Sequence, residues 1–292
     1  MSDETFERVF SEVSQSMREQ IWRFRETHIP KTITVNTHVW EYLDCGTDKQ
    51  TLVMLPGGLR HPSIGWQLLE QLEKDYRIIA PSYPTTGSMN VLVRGVLSIL
   101  DHEQIDRFSI IGSSYGGIVL QSILHIVPQR VSHAIIANTG TISDDPSVVK
   151  LLKRRLGLIR ILPGRLVTQI AKRAFKRMLE GIEEDQRTVY ESLVDELFVR
   201  GLYTKKELVC HFEGLIDFQL NHQFTPESTS QWDTKVLIIK SRDDPGVLEG
   251  SSEALDRMYP NARTHVFLEE GHMPSITRMD EYLKLLHEFL KG

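Results

Sequence analysis

The sequence predicts an α/β fold, a mostly parallel central sheet with helices on both faces, carrying a helical insertion. Three observations point there. Compact apolar runs recur along the chain in the manner of buried strands, helical patterns separate most of them, and residues 141–230 break this alternation with helices alone.

The chain opens with Phe6, Val9, Phe10, Val13, Met17, Ile21 and Phe24 spaced three or four apart. This is the stripe of an amphipathic helix over residues 4–25, with Pro30 beyond its end, and it marks 1–30 as an N-terminal helical extension. Docking against its own domain explains such a stripe; a dimerisation helix is the alternative, and it leaves a homodimer open. The period then changes. Thr32–Val35 and Val39–Leu43 read as a hairpin joined at Asn36-Thr37-His38. Buried strands follow at Thr51–Leu55, Arg77–Ala80, Phe108–Ile111, Ala134–Ala137, Val236–Ile239 and His265–Leu268. Helical patterns lie at Gly65–Lys74, Met89–Asp101, Gly117–Val127, Gly250–Met258 and Met279–Leu290. The division that results is a core of 31–140 and 231–292 with a helical cap over 141–230, broken at Pro163-Gly164, Gly181, Gly201 and Pro226.

Composition narrows the function. A net charge of −5 argues against nucleic acid as a general partner, because phosphate binding needs a basic face. Cys45 and Cys210 fit no metal or redox spacing and read as reduced thiols, although one disulfide is an alternative. No apolar run approaches the ~20 residues of a transmembrane segment. The opening MSDETFERVFSEV is acidic where a secretory signal would be basic and then apolar, so a cytoplasmic location is the default expectation.

Four segments carry chemistry. Ser109–Ile118 runs from an apolar strand through Gly112-Ser113-Ser114-Tyr115-Gly116 into a helix. A nucleophilic serine needs a very sharp turn with nearly side-chain-free neighbours, which Gly112 and Gly116 supply, and Gly117 lets the helix pack closely. A bare G-x-S-x-G is a weak signal that also marks plain turns; the strand–helix context strengthens it, and spacing selects Ser114 over Ser113. Pro56-Gly57-Gly58, after TLVML, fits a turn that aims backbone N–H groups at an oxyanion, the expected donors being Gly58 and Tyr115; an ordinary turn explains this segment alone equally well. Asp243-Asp244-Pro245 offers a carboxylate to orient a histidine, or simply forms a turn. His272 stands on a Gly–Pro-bounded loop past the last strand, completing the chain order Ser…Asp…His.

With these motifs the chain resembles the α/β-hydrolase superfamily over roughly residues 31–292. The resemblance implies an α/β-hydrolase fold with Ser114 as nucleophile, His272 as general base and Asp244 as the acid. The family pattern places a glycine where Ser241 stands and often a proline where Leu248 stands, which keeps Asp243 in competition. Pro56 replaces a histidine often found before the oxyanion glycine. YRIIAPSYP, the GSSYGG region and MYPNAR are also similar to the maspardin branch, which is associated with protein binding more than with catalysis.

Between Ser147 and Leu179 all charged residues are basic, ten of them, among apolar residues at helical spacing. The pattern fits an anionic surface or an anionic acyl substrate; the favoured reading is a solvated face balanced by Glu180–Asp185. The expected activity is acyl transfer on an ester, thioester or lactone, with a small-molecule acyl substrate and no metal or organic cofactor. A hydrolase-like binding or signalling module and a C–C hydrolase or lyase on the same site are the alternatives.

Overall fold

The computed structural model describes residues 3–47, 49–247 and 250–292, and Leu248 lies outside them. In chain order the elements are α1 (Asp3–Val9), α2 (Gln15–Thr27), β1 (Lys31–Val35), β2 (His38–Gly46), β3 (Thr51–Leu55), α3 (Trp66–Leu72), β4 (Arg77–Ser82), α4 (Met89–His102), β5 (Phe108–Ser113), α5 (Tyr115–Ile126) and β6 (Val131–Ala137). Five helices follow before the sheet resumes: α6 (Pro146–Ile161), α7 (Gly164–Arg177), α8 (Glu184–Val199), α9 (Lys205–Asn221) and α10 (Pro226–Thr229). The chain then adds β7 (Lys235–Ser241), α11 (Ser251–Met258), β8 (Arg263–Phe267), α12 (Pro274–Thr277) and α13 (Met279–Lys291).

The strands form one sheet in the order β1-β2-β4-β3-β5-β6-β7-β8. β2 runs antiparallel to both β1 and β4; every other pairing is parallel. The strands are continuous apolar runs because both faces are covered. Leu52, Ile78, Ile111, Ile135, Leu237 and Ile239 face a core shared with α2, α3 and α13. Their neighbours Val53, Ile79, Ile110, Ile136 and Ile238 face the core beneath α4, α5 and α11.

The N-terminal stripe departs from the sequence reading. Instead of one helix it forms two, separated at Phe10–Ser14. The Phe10 N–H still bonds Phe6 O, but Val13 N–H closes a short turn on Phe10 O and Ser14 takes an extended ψ of 148°. The stripe continues through the break because Phe10 and Val13 are buried in the turn as fully as they would be in a helix. Further on, Arg25 makes two bonds to the buried Glu196 of α8, at 3.0 and 2.5 Å. His28 reaches Glu73 at 2.7 Å, tying the end of α2 to the core.

Cys45 and Cys210 are both free thiols. Among the described residues no helix is long and apolar enough to cross a membrane.

Two glycines separate packing from propensity. A Cβ on Gly95 in α4 would fall 1.8 Å from the Trp40 ring, whereas one on Gly157 in α6 would meet nothing within 4 Å. Gly95→Ala should therefore destabilise by about 1–3 kcal/mol through overpacking, and Gly157→Ala should stabilise by about 0.5–1 kcal/mol. Urea unfolding of the two variants checks the opposite signs.

Candidate active site

Ser114 sits at the joint between β5 and α5 with φ 54° and ψ −122°, a conformation that side chains rarely adopt. Its neighbours explain how the chain takes this corner. A Cβ on Gly112 would lie 2.3 Å from Gly116 O, and one on Gly116 would lie 2.7 Å from Leu55 O. The turn is then fastened from β6: Ser114 N–H donates to Ala137 O at 3.0 Å, and Thr139 Oγ1 donates to Ser114 O at 2.7 Å. Ser114 thus stands at the N-terminus of α5, where the first N–H groups are unpaired and the helix dipole is positive. Among the described residues neither Tyr115 N–H nor Gly58 N–H has a protein acceptor.

The Pro56–Arg60 turn lies beside it. Arg60 closes the turn at φ 64°, its N–H bonded to Gly57 O at 2.9 Å and its carbonyl accepting from Tyr83 N–H at 2.9 Å. The Arg60 side chain is buried. Nη2 donates to Pro84 O at 2.7 Å and to Thr86 O at 2.9 Å, and the guanidinium lies 5.6 and 5.7 Å from the ring centres of Tyr83 and Tyr115. The His211 ring lies 4.6 Å from that of Tyr115, tilted by 34°, and comes close against Gly58. Burial, and then the Arg60 charge, push its imidazole down to about 3. This layer beneath the turn is absent from the sequence reading, since nothing in the spacing of Arg60 and His211 links them.

On the opposite side β7 and β8 deliver a carboxylate and an imidazole. Asp244 Oδ1 lies 2.7 Å from His272 Nδ1, with both side chains only 4% exposed. The same Oδ1 accepts from Gly246 N–H at 2.7 Å, and Oδ2 accepts from Asn138 Nδ2 at 2.9 Å. A carboxylate only accepts, so His272 Nδ1 donates in this bond, and Nε2 takes no part in it. Asp243 points elsewhere: its Oδ1 accepts from Gly271 N–H at 3.0 Å and holds the histidine loop.

Nothing in the local sequence marks Asn138 or Gly246 as part of the site. Asn138 stands just past β6, 106 residues before its partner Asp244, and it also contacts the Ser241 hydroxyl at 3.3 Å. Ser241, the departure from the family glycine, is therefore part of this network. A Cβ on Gly246 would come within 2.5 Å of His272 Nδ1.

Ser114, Gly57, Gly58 and His272 line one cavity between the sheet and the inserted helices; no hydrogen bond joins Ser114 to His272. Its walls include Leu68, Ile111, Phe175, Met178, Leu179 and Tyr282, and among the described residues no Lys, Arg, Asp or Glu lines it. His61, a further wall, is kept neutral by burial and by the Arg200 and Arg25 charges, which push it down to about 4. Outside the cavity, His28, Cys45 and Glu73 bring ligand-type atoms within 4.8 Å of one another. The 2.7 Å contact of His28 with Glu73 is a direct hydrogen bond, shorter than the ~3.3 Å between ligands of a tetrahedral ion.

A mostly parallel sheet, a serine on the corner after β5 and an Asp–His pair after β7 and β8 define the class. A model described as "Alpha/beta hydrolase family" matches residues 52–285, and the chain belongs to that family. It is 26% identical over 268 residues to a 2-hydroxy-6-oxononadienedioate/2-hydroxy-6-oxononatrienedioate hydrolase of Dechloromonas aromatica, covering 85% of this chain and 89% of that protein. Maspardin of Danio rerio is 22% identical over 273 residues, covering 88% and 81% of the two chains. The crystal structure of a hydrolase from Pseudomonas aeruginosa superposes with a TM-score of 0.73 at 17% identity, over 90% of this chain and 99% of that one.

The depressed histidines set a pH dependence. His211 is neutral in the fold but takes up a proton in the unfolded chain below its ordinary value of 6.5. Its contribution to stability is full above that pH and is lost as pH falls towards its folded value of about 3. His211→Phe keeps a ring on Tyr115 and removes the titration. It should flatten the decline of unfolding free energy between pH 6.5 and 4 by about 1 kcal/mol per pH unit, read from urea melts across that range. An unchanged slope would show that His211 is not held neutral.

Proposed function

We propose that this protein is a serine hydrolase that transfers the acyl group of an apolar ester, thioester or lactone through Ser114, His272 and Asp244. The observation that carries the reading is convergence. A serine on a strained corner at a helix N-terminus shares one cavity with a buried histidine whose tautomer a carboxylate fixes. His272 Nε2 takes the proton of Ser114 Oγ as the oxygen attacks the acyl carbonyl. Asp244 balances the imidazolium that results, while Gly58 and Tyr115 N–H groups receive the developing oxyanion. The proton then passes to the leaving group, and His272 activates water to release the acyl group from Ser114. The inserted helices serve as a cap over the cavity.

The cavity lining selects among substrate classes. A dienedioate such as the one in the name of the Dechloromonas relative carries two carboxylates, and burying these without a cation is costly. No Lys or Arg lines this cavity among the described residues, so an uncharged, apolar acyl group suits it better than a dicarboxylate does. An intact Ser–His–Asp set likewise favours turnover over a binding role without chemistry.

A fluorophosphonate probe should label the wild-type protein on Ser114, and Ser114→Ala should abolish labelling. The same variant should lower kcat on short- and medium-chain esters by about four to six orders of magnitude while leaving thermal unfolding near wild type. Retained turnover in Ser114→Ala, or a dicarboxylate dienoate cleaved faster than any ester, would overturn the assignment.

The adjacent aspartates separate in the same assay. Asp244→Asn should reduce kcat by about 10⁴-fold, through a misoriented ring and an uncompensated imidazolium. Asp243→Asn should keep kcat within about threefold and cost about 1 kcal/mol of stability through its bond to the Gly271 N–H. The reverse pattern would move the acid to Asp243.

A further inference from the structure

The basic stretch of the inserted helices has a structure that the solvated-face reading does not explain. On α7 the inner face carries Val167, Ala171 and Phe175, with Met178 just past the helix end, and Phe175 and Met178 line the catalytic cavity. Opposite them, at spacings of four, three and four, stand Leu166, Ile170, Arg173 and Arg177. Leu166 is 43% exposed and Ile170 50% exposed. α6 repeats the arrangement. Leu152 and Leu156 are buried, while Leu158 and Ile161 on the far side are 53% and 83% exposed and flank Arg154. Of the thirteen exposed large hydrophobic side chains among the described residues, five lie on these two helices: Leu151, Leu158, Ile161, Leu166 and Ile170.

The charges are also unbalanced. The run Glu180–Asp185 makes no ion pair with this stretch. Its acidic partners are Glu213 for Arg160, Asp195 for Lys172, and Glu191 and Asp195 for Lys176. Among the described residues the other seven basic side chains have no carboxylate partner, in a protein whose net charge is −5. Exposed aliphatic residues ringed by uncompensated Lys and Arg match a phase that is apolar inside and anionic at its surface.

We propose that the outer faces of α6 and α7 dock this protein on an anionic membrane surface, so that the catalytic cavity takes acyl esters carried by the bilayer. The substrate half rests on the serine-hydrolase reading; the docking half does not. Leu158, Ile161, Leu166 and Ile170 enter the headgroup boundary, and the free basic side chains pair with lipid phosphates. A single helix, α7, then touches lipid on one side and the cavity on the other. An acyl chain leaving the bilayer there would meet Phe175 and Met178 without crossing bulk water.

The test uses the full chain, vesicles of phosphatidylcholine and phosphatidylglycerol in about a two-to-one ratio, and pure phosphatidylcholine vesicles as control. The protein should sediment with the anionic vesicles at low salt and be released as salt rises to about 0.5 M. R173E/R177E and L166S/I170S should each weaken this binding about tenfold or more. Both should leave kcat on a soluble short-chain ester unchanged and raise KM for a long-chain ester embedded in the vesicles. Equal binding to neutral vesicles, or no binding at all, would overturn the docking; soluble-ester turnover in the same preparation would then show that the hydrolase reading stands. Loss of binding in R173E/R177E with none in L166S/I170S would point to a polyanion rather than lipid and would also overturn it. Vesicle binding with neither ester cleaved would sustain docking and remove the substrate half.

Discussion

The backbone of Ser114 is the constraint on which the rest of the site depends. A serine held at φ 54° and ψ −122° costs about 1–3 kcal/mol against an ordinary conformation, so it persists only where its surroundings leave no alternative. Those surroundings are the ends of three adjacent strands. β3 presents Leu55 O to Gly116 so closely that no side chain fits between them. β5 runs into the corner itself, and just past β6 the Thr139 hydroxyl grips the Ser114 carbonyl. Relaxing the corner would turn the hydroxyl away from the cavity and tilt the start of α5. Ser114 would then no longer face the cavity it shares with Gly58.

A second constraint governs the other half of the site. Asp244 and His272 are almost fully buried, and a buried carboxylate is tolerable only when its oxygens are occupied. Asp244 meets that condition with three partners from three parts of the chain: His272, Gly246 and Asn138. The bond from Asn138 links the acid to β6, the strand that also fastens the serine corner through Ala137 and Thr139. The two halves of the site are therefore held by one strand end.

Much of this could be read from residue order. Buried parallel strands announce themselves because both faces are apolar, and the runs at Thr51–Leu55 and Val236–Ile239 need no tertiary knowledge to find. The strand–glycine–serine–helix sequence is equally local. What stayed hidden depends on distant partners. Asn138, Arg60 and His211 are single polar residues whose roles come from groups far away in the chain. The N-terminal break was hidden for a different reason: Phe10 and Val13 are buried whether or not the helix continues, so the periodicity carries no trace of the turn. The ion pairs of the basic stretch are equally remote: nearness in sequence points to Glu180–Asp185, whereas its partners Glu191 and Asp195 lie one turn apart on α8 and Glu213 on α9.

The segregation of charge has a consequence for how the molecule moves before it touches anything. Ten positive charges sit within residues 147–179 of a chain of net charge −5, leaving −15 on the remainder. Such a distribution is a large permanent dipole, and in the field of any anionic boundary it feels a torque before it feels a net force. Diffusion near that boundary is then no longer an isotropic search. The molecule tumbles into a preferred attitude with α6 and α7 leading and the acidic body trailing, even though its total charge would repel it.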